Sequence, residues 1–367
     1  MKGWSTVFQS CKEAVRSEEA VGGCGGTDCS RTMGRALLLL LRLATALNPL
    51  QKLLVEGELR RRPDWVDGSA AQVAPRVWRW VAEADDAVLA LPELSEADAR
   101  RLAASLEAAG AAVEASATRR VPTLTKRRAL PPAADDEVET ADACRRRTEA
   151  FVARVLVGLR QCPFTASPRE AGVGLEEFGV HGAPILYAHS RRTSAPRLVS
   201  DVWRTLGEFL AKGEAAYSSV LLTAPAFDED VTTWVEAVFP LLEESLVAAK
   251  VSRDVGIVCF HPRYETPSEK WLATHRFGHM YAPATLRRYC AEAGADDLAA
   301  LPDDDLRYYG SYMRRSPHAT INVLWSRQLA AAEQRRESAG FYARNIRRLV
   351  DKGRERLEAE AAGERVT

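Results

Sequence analysis

Val255-Gly256-Ile257-Val258-Cys259-Phe260-His261-Pro262-Arg263-Tyr264 joins an apolar run to a polar, proline-stiffened corner. The run is short and apolar, so it reads as a strand. Working outward, residues 183–188, 219–223 and 320–325 have the same character. Helical spacing separates the first three runs. Leu198, Val202, Leu206, Phe209 and Leu210 form one apolar stripe, and Val235, Val238, Phe239, Leu242 and Leu246 form the next. Strand and helix in alternation predict an α/β (or α+β) fold, with a four-stranded sheet and helices packed against it. Phe151, Val152, Val155, Leu156 and Leu159 predict a helix before this sheet that stops ahead of Pro163. Phe341, Ile346 and Leu349 mark a last helix among arginines.

The sequence predicts this domain over 144–358, with an insertion at 265–305 and a tail at 359–367. Residues 119–143 read as a disordered charged linker. Arg119, Arg120, Lys126, Arg127 and Arg128 precede Pro131-Pro132, and Asp135, Asp136, Glu137 and Glu139 follow. Residues 50–118 read as a small, mostly helical accessory domain. In it, 86–91 is strand-like, Ser95 caps a helix carrying Leu102, Leu106 and Ala109, and Gly110 ends that helix. Residues 1–49 read as a leader. Its leucine-rich run 36–47 suits either the apolar part of a targeting peptide or an amphipathic helix. It falls short of the roughly 20 apolar residues that span a bilayer. Glu13, Glu18, Glu19 and Asp28 count against an organelle transit peptide, and Met33 offers an alternative start. The expected location is plastid or cytoplasm.

Composition narrows the function classes. In 367 residues, 46% are hydrophobic and 27% charged, which excludes a disordered, collagen-like or polytopic membrane protein. Fifty basic residues balance fifty acidic ones, so no global field draws in nucleic acid or an anionic membrane. Seven cysteines are too sparse for a disulfide scaffold and favour a reducing compartment.

Three clusters combine a proline with polar or reactive neighbours: Cys162-Pro163-Phe164, the corner 260–264, and Arg314-Arg315-Ser316-Pro317-His318. If the fourth strand runs antiparallel to the third, its start lies beside the third strand's end and brings Arg315 and Ser316 near His261. In open α/β sheets ligands gather at the carboxyl ends of strands. The expected catalytic pair is Cys162 as nucleophile and His261 as its base or stabilising cation. Arg315, Ser316, Tyr264 and Arg263 are the expected ligand-binding residues, suited to a small anion. Against this stands a fold-holding role, with Cys162 as an apolar plug and His261 as a hydrogen-bonded core histidine. No metal is expected. A zinc ion would draw on His261, His275, His279, His318 and Cys290, but Gly278 between His275 and His279 weakens a helical pair. No phosphate loop, nucleophile elbow or zinc-protease motif is present, and the cofactor is unknown.

From about 149 to 349 the chain resembles the domain-of-unknown-function 1415 family of bacteria and plastid-bearing eukaryotes. Val157-Gly158-Leu159-Arg160-Gln161-Cys162-Pro163-Phe164 is similar to its Gly-Leu-Asn-Leu-Cys-Pro-Phe, and Phe260-His261-Pro262-Arg263-Tyr264 to its Phe-His-Pro-x-Tyr. Arg315-Ser316-Pro317 fits its Asn-Arg-Ser-Pro, and Tyr342-Ala343-Arg344-Asn345-Ile346 fits its Tyr-x-x-Asn-Ile. Departures are Asn322 where the family usually has a histidine, Trp325-Ser326 for an Arg-Glu pair, Arg314 for an asparagine, and the insertion. The resemblance implies no known reaction. Residues 94–114 also weakly resemble the last helix and strand of the bacterial ribosomal stalk C-terminal domain, although a generic strand–helix–strand unit accounts for them better. The function is therefore unknown, with small anionic-ligand binding and thiol-dependent catalysis at Cys162 and His261 the leading expectation. The alternatives are an adaptor that meets a protein partner through 50–118 or 265–305, and an RNA- or ribosome-associated factor. Stable membrane insertion is not expected.

Overall fold

Chain order begins with helix α1 (Ser69–Glu83), strand β1 (Val88–Ala90), helix α2 (Glu96–Ala108) and strands β2 (Val113–Thr118) and β3 (Val121–Lys126) in the computed structural model. The structure describes residues 69–83, 88–108, 113–118, 121–126, 139–266, 282–334 and 338–366. The leader 1–49, His275 and His279 lie outside the described residues. β1, β3 and β2 form an antiparallel three-stranded sheet in that order. Ser95 caps α2, its Oγ accepting from the Asp98 amide at 3.1 Å. Val121–Lys126 falls within the stretch expected to be a disordered linker, yet it pairs along its whole length with β2. The reason is the buried Leu124, which has two threonines beside it and enough apolar contact to order a segment that its flanking charges mask.

Helix α3 (Ala141–Phe151) runs on into a wider, π-type segment, Val152–Gly158. Strands β4 (Thr165–Ser167), β5 (Glu170–Ala171) and β6 (Ala183–His189) follow, then α4 (Ala195–Lys212), β7 (Ser219–Thr223) and the 3-10 turn Pro225–Phe227. Val231–Thr233, the π-type Trp234–Val238 and Phe239–Ala248 together make α5, and β8 is Val255–Phe260. The remaining elements are α6 (Pro283–Glu292), α7 (Asp296–Ala299), α8 (Asp303–Tyr312), β9 (Thr320–Trp325), α9 (Ser326–Gln334), α10 (Ser338–Lys352) and α11 (Arg354–Val366). Among the described residues, no helix is long and apolar enough to cross a membrane.

The main sheet has six strands, in the order β4-β5-β6-β7-β9-β8, not the four expected. The four predicted strands are β6 to β9. The two additions are three and two residues long, too short to carry a period. β6 and β7 are parallel, with His189 opposite Thr223, and β9 runs antiparallel to both β7 and β8. Thr320 pairs with Thr223 on one side and Phe260 on the other. The ends of β6, β7 and β8 and the start of β9 therefore share one rim.

Both faces of the sheet are covered, which is why its strands read as nearly continuous apolar runs. Val220, Leu222, Ile257, Ile321 and Val323 face one core with α4 and α5, where Trp203 Nε1 donates to Ser245 Oγ at 3.0 Å. Phe209 stacks on Trp325 there, with ring centroids 4.3 Å apart. Leu221, Val258 and Phe260 face α3 through Phe151, Val152 and Val155. Val73, Trp78, Leu102, Val113 and Leu124 belong to the first of these cores, so the two sheets share apolar packing. Lys250 and the buried Asp98, 3.3 Å apart, tie α2 to the turn after α5. The insertion helices pack with α10 and α11 through Leu286, Cys290, Ile346 and Leu349.

Burial pushes the Glu244 carboxyl on α5 from an ordinary 4.5 up to about 7. Between those values the folded chain holds a proton that the unfolded chain has lost, so stability falls as pH rises through the window. Glu244→Gln removes that slope. Urea unfolding should show a gain on the order of 1 kcal/mol near pH 8, screening of a half-exposed group included, and none near pH 4. Equal effects at both pH values would rule out burial as the cause.

Candidate functional site

The shared rim collects a polar cluster from four parts of the chain. His189 closes β6, and its Nδ1 lies 3.2 Å from Thr223 Oγ1 at the end of β7. The Thr223 hydroxyl donates to the Ala188 carbonyl at 3.3 Å, so it takes the Nδ1 proton as acceptor and leaves the Nε2 lone pair bare. That Nε2 is buried and has no hydrogen-bond partner. Burial, then the neighbouring His318 and Arg191, hold the His189 ring below the ordinary histidine range.

Asp228 follows the 3-10 turn after β7. Its Oδ1 accepts from the Ala319 amide at 2.6 Å and its Oδ2 from His318 Nδ1 at 2.8 Å. A carboxylate on Nδ1 fixes the His318 tautomer and leaves its Nε2 lone pair facing inward. His318 is 2% exposed, and its Nε2 also lacks a partner. The His318 backbone is pinned too, since its carbonyl accepts from Ser316 Oγ and from Thr320 Oγ1.

The amino end of α3 supplies the rest. Thr140 caps the helix by accepting from the Ala143 amide, which seats Glu139 just outside it and Cys144 in its second turn. Glu139 Oε2 accepts from Arg147 Nη1 at 2.8 Å and stands 3.6 Å from His318 Nε2, while its Oε1 is buried and unpaired. One ligand-type atom each from Glu139, Cys144 and His318 lies within 4.8 Å of the other two. Burial, with Glu139 and Asp228 adding to it, pushes the Cys144 thiol up to about 12.

The residues singled out in the sequence stand around this cluster in supporting positions. The antiparallel arrangement does bring the second and third corners together, and the His261 amide donates to the Arg314 carbonyl at 3.0 Å. The His261 ring is fully buried. Its Nε2 donates to the Phe227 carbonyl at 2.8 Å, and its Nδ1 accepts from the Arg263 amide at 3.0 Å. Both nitrogens are committed to backbone, so the ring clamps the turn that delivers Asp228. Cys162 lies at the other end of α3, on the order of 20 Å of helix from Cys144. Burial raises its thiol, with Thr165 and Arg314 as closer influences acting the other way. Arg315 pairs with Glu358 at 2.7 Å and donates to the Tyr264 carbonyl at 3.3 Å. Arg263 pairs with Glu229, and Tyr264 is 1% exposed.

Other motif residues also support the frame. Gln161 Nε2 donates to the Asn345 carbonyl at 3.3 Å and Asn345 Nδ2 to the Gln161 carbonyl at 2.9 Å, joining the end of α3 to α10. Asn322 lies opposite Leu221 and Val258, on the α3 face of the sheet and two positions in from the rim. Its Oδ1 is buried without a partner. Sequence reasoning missed His189, Asp228, Glu139 and Cys144 as a group. The signal it left unused was that parallel strands put all their carboxyl ends on one rim, where His189 immediately follows the run 183–188.

Residues 143–276 match a family model described as Protein of unknown function (DUF1415). The match contains Cys162-Pro163-Phe164 and Phe260-His261-Pro262-Arg263-Tyr264, and the motifs at 315–317 and 342–346 lie beyond it. No curated protein and no solved structure matches the chain, and the likeness of 94–114 to the ribosomal stalk protein is not borne out. Over 143–276 the chain resembles a family whose description assigns no reaction.

Proposed function

We propose that the six-stranded part of this protein binds and processes a small molecule at the rim where β6, β7 and β9 meet, with His318, Asp228, His189 and Glu139 as its working groups. One observation carries this. Glu139 Oε1, His189 Nε2 and His318 Nε2 come from three separate elements, and each is buried without a partner. An orphaned buried polar atom costs about 1–3 kcal/mol. A cluster of them is destabilising unless a ligand completes it, as expected of a site kept for use.

The chemistry supported is proton transfer or ligation by imidazole and carboxylate. His318, oriented by Asp228, has the form of a base held by a third group. Thiol-dependent catalysis at Cys162 and His261 has weaker support, because the thiol is held neutral and neither ring nitrogen of His261 is open to it. An anion held by Arg315, Ser316, Tyr264 and Arg263 is similarly disfavoured. The two arginines are paired with carboxylates and Ser316 Oγ with a carbonyl. The unsatisfied rim atoms on Glu139, His189 and His318 are acceptors, and they favour a ligand with a donating or cationic face. For location, plastid or cytoplasm stays a proposal from the leader alone.

His189→Leu and His261→Leu separate use from support. His189→Leu removes an orphaned nitrogen and should leave thermal stability unchanged or raised by up to about 1 kcal/mol. His261→Leu strips two backbone partners and should lower it by about 2–3 kcal/mol. Equal losses would mark His189 as fold-holding and defeat the proposal. In the native protein, Cys162 should react with iodoacetamide at neutral pH far more slowly than a free thiol of pKa about 8.5, and should speed up only on unfolding. Rapid native alkylation would restore the nucleophile to consideration.

A further inference from the structure

We propose that Glu139, Cys144 and His318 hold one divalent transition-metal ion of the zinc class, with a fourth position left for a ligand. This rests on the functional reading above and names what completes it.

Geometry comes first. Ligand atoms around a tetrahedral zinc ion, at bonds of about 2.0–2.3 Å, sit roughly 3.5 Å from one another. Glu139 Oε2 and His318 Nε2 are already 3.6 Å apart. All three ligand types lie within 4.8 Å, so side-chain adjustments on the order of 1 Å close the set. The donors are the borderline mixture of imidazole nitrogen, thiolate sulfur and carboxylate oxygen that zinc and its neighbours accept, whereas calcium and magnesium take oxygen alone.

Electrostatics points the same way. With Nδ1 of His318 bonded to Asp228, its Nε2 stands 3.6 Å from Glu139 Oε2, and with Nδ1 of His189 bonded to Thr223, its Nε2 is buried without a hydrogen-bond partner. Glu139 Oε1 and His318 Nε2 stay buried without hydrogen-bond partners although Arg147 Nη1 donates to Glu139 Oε2, and a bound cation would satisfy both. The surroundings also have the form of a metal site. Asp228 on His318 Nδ1 makes the carboxylate–histidine arrangement that orients a metal-bound imidazole, and Arg147 holds Glu139 through Oε2. Three protein ligands with an open fourth position are the arrangement of a catalytic rather than a structural zinc. As the sulfur–metal bond forms, the Cys144 S–H bond breaks and its proton leaves to solvent, so one proton is released per ion bound.

Cobalt(II) reports on this directly. Full-length protein stripped with a chelator and titrated with Co²⁺ should bind one equivalent. It should develop visible bands of tetrahedral intensity with a near-ultraviolet sulfur-to-metal charge-transfer band, and release one proton per ion in weak buffer. Zn²⁺ should displace the colour. Cys144→Ser should remove the charge-transfer band, Asp228→Asn should weaken binding by roughly 10–100-fold, and Cys162→Ser should change neither. The wild-type stoichiometry, spectrum and proton count do not depend on how the variants fold. No stoichiometric binding, or binding without the thiolate band, overturns the metal site. If the metal fails while His189→Leu proves neutral or stabilising, the small-molecule reading survives without it. If both fail, the cluster is structural.

Discussion

Parallel pairing of β6 with β7 is the constraint from which the rest follows. It sends both strands to the same rim, places His189 against Thr223, and requires a helical crossover, which α4 supplies. β9 then enters antiparallel between β7 and β8, so its approach from 314 to 319 crosses the same rim and carries His318. A parallel β9 would deliver that approach to the opposite edge. Strand direction, more than any single contact, assembles the cluster.

The supporting residues show how the site is held open. Acceptors facing one another repel, and a chain free to move would turn them outward. Here the His318 carbonyl is fixed by Ser316 and Thr320, the turn bearing Asp228 is fixed by His261, and Glu139 is fixed by Arg147. Each tie is a hydrogen bond worth about 1 kcal/mol in net terms. The ties leave Glu139 Oε1 and His318 Nε2 without hydrogen-bond partners. The conjunction of fixed framework and unsatisfied centre is what preorganisation demands of a binding site.

The fold was largely legible because strands buried on both faces announce themselves as apolar runs. β7, β8 and β9 occupy the residues the runs predicted, and β6 differs by one residue at its end. β4 and β5 were invisible, since strands that short follow from the corner after Cys162 and not from any pattern of their own. The site was legible only in part. Proline-stiffened corners located the rim, but His261 and Arg315 serve the frame, and of the corner residues only His318 joins the polar cluster. Glu139 was hidden among the acids of a presumed linker, and Cys144 looked like any small residue opening a helix. Both gain meaning from residues far along the chain, which spacing within one segment cannot reveal.

The two corner histidines show why residue type alone could not decide. In His261 both nitrogens meet backbone groups, one a carbonyl and one an amide. Both bonds hold a turn, so the role of this ring is architectural. In His318 the bonded nitrogen meets a side chain, Asp228, and the other meets no partner. Its Nε2 can meet a ligand or a metal while the bond that orients the ring survives. For buried histidines that meet at one rim of a sheet, the identity of the hydrogen-bond partner separates support from chemistry, and burial by itself does not.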